Sequence, residues 1–152
     1  ELIQDVVMQY EPQAEEQRID LAADLPERHA RAAADIGLVE RALSNLIDNA
    51  IHYTPEGGRV RVRVANETRE VRIEVADTGP GIPEDELPHI FERFYRVDKS
   101  RDRDKGGAGL GLAIARTILE LHDQTLEVKS TVGEGTTFRF RLPLETATEA
   151  SA

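Results

Sequence analysis

The sequence predicts an α+β domain: a two-layer α/β sandwich with helices on one face of a mixed, mostly antiparallel sheet of about five strands. The segments with strand character alternate apolar and charged residues, which is typical of a sheet with one face in water. The helical segments are sufficient to cover only the other face, which favours two layers over a doubly wound, three-layer fold. A chain of 152 residues has the size of one ordinary domain.

The longest helix is predicted from Asp35 to Tyr53. Asp35 suits the N-cap or first turn, and Pro55 with the glycines that follow it ends the helix. Apolar residues recur along this segment with the 3.6-residue period of a core-facing stripe. The stripe comprises Val39, Ala42, Leu43, Leu46, Ile47 and Ala50.

The remaining elements are shorter. Residues 1–17 have the pattern of a helix interrupted near Pro12. A polar turn at 66–69 separates two alternating segments and predicts a β-hairpin. Strands are expected at 18–23, 60–64, 71–75, 126–129 and 137–142, and further helices at 84–90 and 110–122. The predicted polar face of the sheet carries Arg61, Arg63, Arg72, Glu74, Glu127, Lys129, Arg139 and Arg141.

Charge and composition exclude several classes of function. The formal net charge of -10 repels nucleic acid and anionic lipid. The absence of cysteine excludes disulfides and thiolate metal sites, and the short apolar runs exclude a membrane span within this sequence. Together these features predict a cytoplasmic setting. Residues 91–105 carry six basic and four acidic side chains, and for this segment alone a solvated, salt-bridged loop is the favoured interpretation.

Three polar residues share one stripe of the long helix. Asn45, Asn49 and His52 follow the spacing i, i+4, i+7 and flank the apolar face. Asparagine is a mediocre helix former, so two such residues beside a core need hydrogen-bonding or ligating partners. The alternative is a pair of satisfied interfacial amides.

A second pattern is Asp77-Thr78-Gly79-Pro80-Gly81-Ile82. The strand's alternation turns Asp77 inward, where a carboxylate needs a partner. An adenine exocyclic amine is one suitable donor, and Gly79 and Gly81 allow the backbone to approach a flat ring. The alternative is a turn in which the aspartate caps the next segment.

Two glycine-rich patterns follow. Gly107-Ala108-Gly109-Leu110-Gly111-Leu112 directly precedes a helix, where loop amides and the helix N-terminus bind anions. It matches neither the P-loop nor the dinucleotide-binding pattern, and a flexible hinge is the alternative. Gly133-Glu134-Gly135-Thr136-Thr137-Phe138 is interpreted as a structural turn into the last strand.

Taken in order, these segments resemble the histidine kinase branch of the Bergerat-fold ATPases. The resemblance covers almost the whole chain and adds an F motif, Phe91-Glu92-Arg93-Phe94-Tyr95, to the patterns above. It implies the catalytic domain of a two-component sensor histidine kinase, with ATP and magnesium as cofactors. It also implies three partners: the dimerisation and histidine-phosphotransfer domain of the same kinase, a response regulator, and a second copy of the full-length kinase, the isolated domain being monomeric.

The resemblance assigns a role to each motif. Asn49 would ligate magnesium with Asn45 assisting, Asp77 would read adenine, and Tyr53 would lie along the base or ribose. Residues 92–107 would form the ATP lid. The residues implied to contact the nucleotide are Asn45, Asn49, His52, Tyr53, Asp77, Gly79, Gly81, Ile82, Arg96, Lys99, Arg103, Gly107, Gly109, Leu110, Gly111, Leu112 and Thr137.

The residue at position 45 favours phosphotransfer over hydrolysis. Hydrolytic branches of the superfamily have a glutamate there that activates water, and the amide of Asn45 cannot act as a general base. None of the four histidines lies in a phosphoacceptor pattern. Residues 1–17 are therefore expected to continue from a missing dimerisation domain, 18–144 to form the catalytic domain and 145–152 a disordered polar tail, as the cytoplasmic part of a membrane-anchored kinase.

Two positions depart from the family pattern. His52 stands where lysine or arginine is frequent, and His122-Asp123-Gln124 stands where the family usually has His-Gly-Gly. A histidine makes a weaker, pH-dependent phosphate contact. Aspartate adopts the left-handed conformation less readily than glycine, so a strained or differently built turn is expected after the last helix.

Overall fold

The computed structural model describes residues 2–27, 32–92 and 111–144, which form an α+β sandwich. In chain order the elements are helix α1 (Leu2–Glu16), strand β1 (Asp20–Asp24), helix α2 (Ile36–Tyr53), strands β2 (Arg59–Asn66) and β3 (Glu70–Asp77), a three-residue 3-10 turn (Leu87–His89), helix α3 (Gly111–Leu121), and strands β4 (Glu127–Thr131) and β5 (Gly135–Pro143). The five-stranded sheet has the order β1-β2-β3-β5-β4. Among the strand pairs of the described residues, only β1–β2 is parallel, so the mixed, mostly antiparallel sheet is confirmed.

Helix α2 forms the centre of the helical layer. It contacts both α1 and α3, and its apolar stripe faces the inner side of the sheet. All six stripe residues are buried, as is Ile51, which directly follows the last of them. Phe138 and Phe140 are the largest fully buried side chains and come from the central part of β5. Burying these aromatic rings contributes to the apolar stabilisation between the two layers.

The outer face of the sheet is charged, as the alternation predicts. One row crosses all five strands with alternating sign, because the strand register aligns its members. From β1 to β4 this row contains Asp24, Arg63, Glu74, Arg139 and Glu127. Arg139 contacts the carboxylates of Glu74 at 3.6 Å and Glu127 at 3.3 Å. Opposite charges directly across a sheet are mutually favourable, so the row stabilises strand pairing.

The ends of α2 follow from local sequence. The side chain of Asp35 accepts a hydrogen bond from the N–H of Leu38 at 3.0 Å, which confirms it as the N-cap. At the other end Thr54 has extended backbone angles, as expected of a residue that precedes proline. Its buried hydroxyl donates to the carbonyl of Ala50 at 2.6 Å. These ends fix which residues of the helix lie beside the candidate site.

The smaller elements differ from the prediction at three points. Helix α1 continues through Pro12, which lies on an exposed face where water can bind the carbonyl that loses its donor. Strand β1 begins at Asp20 because Arg18 has a φ of 56° and closes the end of α1. The short helix expected at 84–90 is reduced to a 3-10 turn, within which Pro88 has no N–H to donate.

The turn after α3 accommodates Asp123 at a position where the resemblance implies glycine. Asp123 has a φ of 57°, in the left-handed region. Its N–H donates to the carbonyl of Glu120 at 3.0 Å, and the N–H of Gln124 donates to that of Leu119 at 2.8 Å. These two bonds define a Schellman motif. The backbone therefore adopts the usual glycine geometry with aspartate in place.

No helix in the described part of the chain combines the length and the apolar character that crossing a membrane requires.

Candidate functional site

The candidate site lies where the polar stripe of α2 meets the beginning of α3. A methyl group placed on Gly111 would lie 3.7 Å from the Cβ of Asn45 and 4.0 Å from its Oδ1. The first residue of α3 is thus within contact distance of Asn45 on α2. The free N–H groups at a helix N-terminus attract anions, and here they lie beside a side-chain amide.

The amide of Asn45 is incompletely satisfied. Its Nδ2 is buried and has no hydrogen-bond partner among the residues that the structure describes. Leaving a buried donor without an acceptor costs about 1–3 kcal/mol. A pair of satisfied interfacial amides therefore does not describe this position, and an acceptor from a ligand would remove the cost.

Asn49, His52 and Tyr53 continue the stripe toward the end of α2. All three are half-buried, consistent with a helix face at the margin of the core. The rings of His52 and Tyr53 meet edge to face with centroids 4.9 Å apart. This contact restrains both rings at the end of the helix that approaches the Asp77 turn.

Asp77 ends β3 on the inner face, one step beyond the buried Val75, as its parity predicts. The carboxylate accepts a hydrogen bond from the N–H of Gly79 at 2.9 Å and another from the N–H of Thr136. Burial raises the pKa of Asp77 to about 6, against the lowering effect of these two N–H groups. A half-buried carboxylate with a raised pKa is typical of a functional site.

This raised pKa predicts a pH dependence of stability. Because the folded pKa of about 6 exceeds the ordinary value of 3.8, folding favours the protonated form. The associated stability is fully present below about pH 4 and is lost as the pH rises through 6, a change of about 3 kcal/mol. Denaturant titrations of the wild type and Asp77→Asn across pH 4–7 measure it.

The difference between the two proteins isolates Asp77 from other titrating groups. Glu127, whose pKa is lowered chiefly by its hydrogen bond with Arg139, titrates in the opposite sense in both proteins. We expect Asp77→Asn to gain stability relative to the wild type as the pH rises. Parallel stability curves for the two proteins would contradict the assignment.

The glycines of the Asp77 turn are required first by protein backbone. A Cβ on Gly79 would lie 2.9 Å from the carbonyl oxygen of Tyr53. Gly81 has a φ of 78°, and a Cβ there would overlap the carbonyl oxygen of Thr131 and lie 2.8 Å from the Cα of Val132. The turn is therefore pressed between the end of α2 and the β4–β5 hairpin, which fixes its position.

Replacing Gly81 tests this packing. We expect Gly81→Ala to destabilise the fold by about 3–4 kcal/mol, from the left-handed φ together with the backbone overlap. Gly57→Ala is a matched control, since Gly57 has a φ of 89° but no atom within 4 Å of the added Cβ. It should cost only about 1–2 kcal/mol. If the two variants lost the same free energy of unfolding in denaturant melts, the overlap at Gly81 would be relieved without a free-energy cost.

Two residues that the sequence interpretation missed lie in this region. Thr136 is buried, with 6% of its surface exposed, and its register partner on β3 is Asp77. Ser130 on β4 is opposite Thr136. Thr137, which the sequence implied as a contact, pairs with Ala76 and lies on the outer face. The strand parity that placed Asp77 inward would have found Thr136 as well.

The remaining predicted contacts fall partly inside and partly outside the described residues. Leu112 lies in the first turn of α3, half-buried and packed against the core, and Ile82 packs there too. The predicted lid at 92–107, apart from its first residue, and the tail at 145–152 lie outside the described residues. So do the predicted nucleotide contacts Arg96, Lys99, Arg103, Gly107, Gly109 and Leu110. They stay predictions.

These features define a class of protein. The two-layer sandwich presents a buried, unsatisfied amide beside the N-terminus of α3 and a carboxylate of raised pKa in the turn that contacts the end of α2, groups suited to a nucleotide. Residues 34–146 match the family described as histidine kinase-, DNA gyrase B-, and HSP90-like ATPase. The chain belongs to this family.

Relatives and solved structures are consistent with this family. The chain is 42% identical over 144 residues to the sensor histidine kinase RppB of Synechocystis, covering 95% of this chain and 32% of the relative. It is 42% identical over 130 residues to WalK of Bacillus subtilis, covering 84% of the chain and 21% of that kinase. The chain thus spans about a third or less of these curated relatives.

The structural similarity extends over almost the whole chain. The catalytic domain of the histidine kinase ThkA superposes with a TM-score of 0.81 at 29% identity, over 93% of this chain and 90% of that one. Full-length ShkA in complex with AMPPNP gives a TM-score of 0.82 at 34% identity, over 96% and 30% of the two chains. The fold is that of a histidine kinase catalytic domain.

Proposed function

We propose that this chain binds ATP with magnesium and donates the γ-phosphate to a histidine on a separate dimerisation domain. The unsatisfied Nδ2 of Asn45 is the observation that carries this proposal. It is a buried donor beside the N-terminus of α3, and a phosphate oxygen is the acceptor that both groups favour. ShkA, a structural relative, was solved with AMPPNP, which supports the choice of a nucleotide.

The residues present fit a magnesium ion. In the described ranges, no group of three or more histidine, aspartate or glutamate side chains is arranged to hold a metal ion by protein ligands alone. Magnesium commonly takes one or two protein oxygens and completes its octahedron with phosphates and water. The amide oxygen of Asn49 is suited to that role. When bound, the ion supplies neutralisation of phosphate charge.

The base would lie at the other end of the stripe. Asp77 presents an inward carboxylate at the end of β3 and can accept from the exocyclic amine of adenine. Tyr53 and Ile82 offer a ring and an apolar side chain near the same turn, where a flat base can pack. The nucleotide would thus extend from Asp77 toward Asn49 and Asn45.

Asn45 makes phosphotransfer more favourable than hydrolysis. An amide holds a phosphate oxygen by donation but takes no proton from water. The nucleophile is then a histidine brought by another domain, and positioning by Asn45 and Asn49 supplies the main contribution of this chain.

The parent protein would be a homodimeric, membrane-anchored kinase with this domain in the cytoplasm. Residues 1–17 would follow its dimerisation domain, residues 18–144 would form the catalytic domain and residues 145–152 would be a polar tail. A response regulator would receive the phosphoryl group. ThkA, a structural relative at 29% identity, was crystallised in complex with the response regulator TrrA.

Two experiments test the proposal in order. ATP with magnesium at millimolar concentration should raise the melting temperature, because a ligand that binds only the folded state stabilises it, and AMP is the control. Labelled ATP should then transfer its phosphate to a separately produced dimerisation domain. Binding without transfer would indicate a nucleotide-sensing module, and no thermal shift would overturn the nucleotide site itself.

A further inference from the structure

Three polar side chains form one row across the end of the sheet. Ser130 on β4 is opposite Thr136 on β5, which is opposite Asp77 on β3. The row lies on the inner face, directly beyond the apolar row of Val128, Phe138 and Val75. The carboxylate of Asp77 is joined to this row by the backbone N–H of Thr136, and the row reaches two strands away.

The hydroxyl of Ser130 makes three contacts. Its oxygen accepts from the N–H of Ile82 at 2.7 Å. The same oxygen lies 3.1 Å from the carbonyl oxygen of Gly135 and 2.8 Å from the hydroxyl oxygen of Thr136. Ser130 thus joins the Asp77 turn, through Ile82, to the strand that carries Thr136.

The number of protons fixes the direction of these bonds. A serine hydroxyl has one proton to donate and two lone pairs to accept. The carbonyl of Gly135 can only accept and the N–H of Ile82 can only donate. All three contacts are satisfied together only when Ser130 donates to Gly135 and Thr136 donates to Ser130.

This direction sets the polarity of the Thr136 hydroxyl. With its proton donated to Ser130, Thr136 has only lone pairs left for any further partner, and the strand register places it opposite Asp77, whose carboxylate also accepts. We infer that Ser130 is a positioning residue for base selectivity, because it keeps this end of the site free of donors. Such a surface suits the amino group of a 6-aminopurine and repels the oxygen of a 6-ketopurine.

The inference rests on the proposed ATP site and makes a separate prediction. In Ser130→Ala the Thr136 hydroxyl loses its acceptor and can turn to donate to a keto oxygen. ATP and inosine triphosphate (ITP) are the appropriate probes, since their bases differ only in the amino or keto group at C6 and the proton on N1. We expect the ratio of their affinities to fall about tenfold in Ser130→Ala, mainly through tighter ITP binding.

The measurement is a titration of each nucleotide, with magnesium, against four proteins. They are the wild type, Ser130→Ala, Thr136→Val, and the double variant. Valine keeps the shape of threonine and removes the rotating hydroxyl, so adding Ser130→Ala to Thr136→Val should leave the ATP-to-ITP ratio unchanged. Melting temperatures report the structural loss separately, because Ser130→Ala also strips the Ile82 N–H of its acceptor.

The outcomes are distinguishable. A purely structural serine would lower the melting temperature and leave the ratio within twofold of the wild type, which would overturn the inference. A ratio that changes equally in the Thr136→Val background would also overturn it. If Ser130→Ala does not fold, Ser130→Cys, with a weaker donor and acceptor, should shift the ratio in the same direction. Absence of ATP binding by the wild type would instead overturn the proposed function.

Discussion

Asn49→Ala is expected to abolish the magnesium dependence of ATP binding. The substitution removes the amide oxygen proposed as the protein ligand to the ion, and alanine favours the helix, so α2 should remain folded. Loss of one interaction between a protein group and a charged partner costs about 1.5–3 kcal/mol, which weakens ATP binding about 10- to 100-fold. Transfer to a histidine should fall further, to about one-thousandth, since charge neutralisation matters most in the transition state.

Calorimetric titration with and without magnesium distinguishes this effect from a packing defect. The wild type should bind ATP more tightly when magnesium is present, whereas Asn49→Ala should give the same affinity in both conditions. Arg41→Ala is the matched control, because Arg41 is exposed on the same helix about two turns earlier. A variant that retained the magnesium effect would exclude Asn49 as the ligand.

Much of the fold followed from periodicity, because its elements are strongly patterned. The stripe of α2 and the alternation of β2, β3 and β5 specify which face of each element is buried, and Asp35 and Pro55 specify where α2 begins and ends. Errors arose where local rules compete with tertiary context. Pro12 is tolerated inside α1 on an exposed face. The strain expected at Asp123 has the same origin, since the Schellman bonds hold this residue in a left-handed conformation that aspartate adopts less readily than glycine.

The candidate site was only partly predictable. Asn45 and Asp77 stand out in sequence because a polar group at a core-facing position needs a partner. The partners of the Asp77 turn are distant in sequence. Thr136, which donates to Asp77, is more than fifty residues away, and Ser130, which accepts from the Ile82 N–H, is about fifty residues away. No local pattern reveals such pairings, since they depend on the register of β4 and β5 with β3.

Asp77→Asn is expected to remove the preference for adenine. The wild-type carboxylate accepts from the amino group of ATP and repels the keto oxygen of GTP or ITP. An amide can present either its oxygen or its Nδ2 to the base, so it weakens the first contact and converts the second into attraction. The preference for ATP depends on the difference between the two binding free energies. The two changes therefore multiply in the ratio of the affinities.

We expect ATP affinity to fall about tenfold and the ATP-to-GTP ratio about 100-fold, from one charge-assisted bond lost and one repulsion removed. Competition titrations with a fluorescent ATP analogue measure both values. Asp85→Asn makes the same chemical change at an exposed position in the following turn and should leave the ratio unaltered. The measurement belongs at pH 8, because at pH 6 half of the wild-type Asp77 is protonated and already resembles the amide. If Asp77→Asn kept the wild-type ATP-to-GTP ratio at pH 8, a group other than Asp77 would recognise the base. The role inferred for Ser130 and Thr136 beside this carboxylate would then lose its basis.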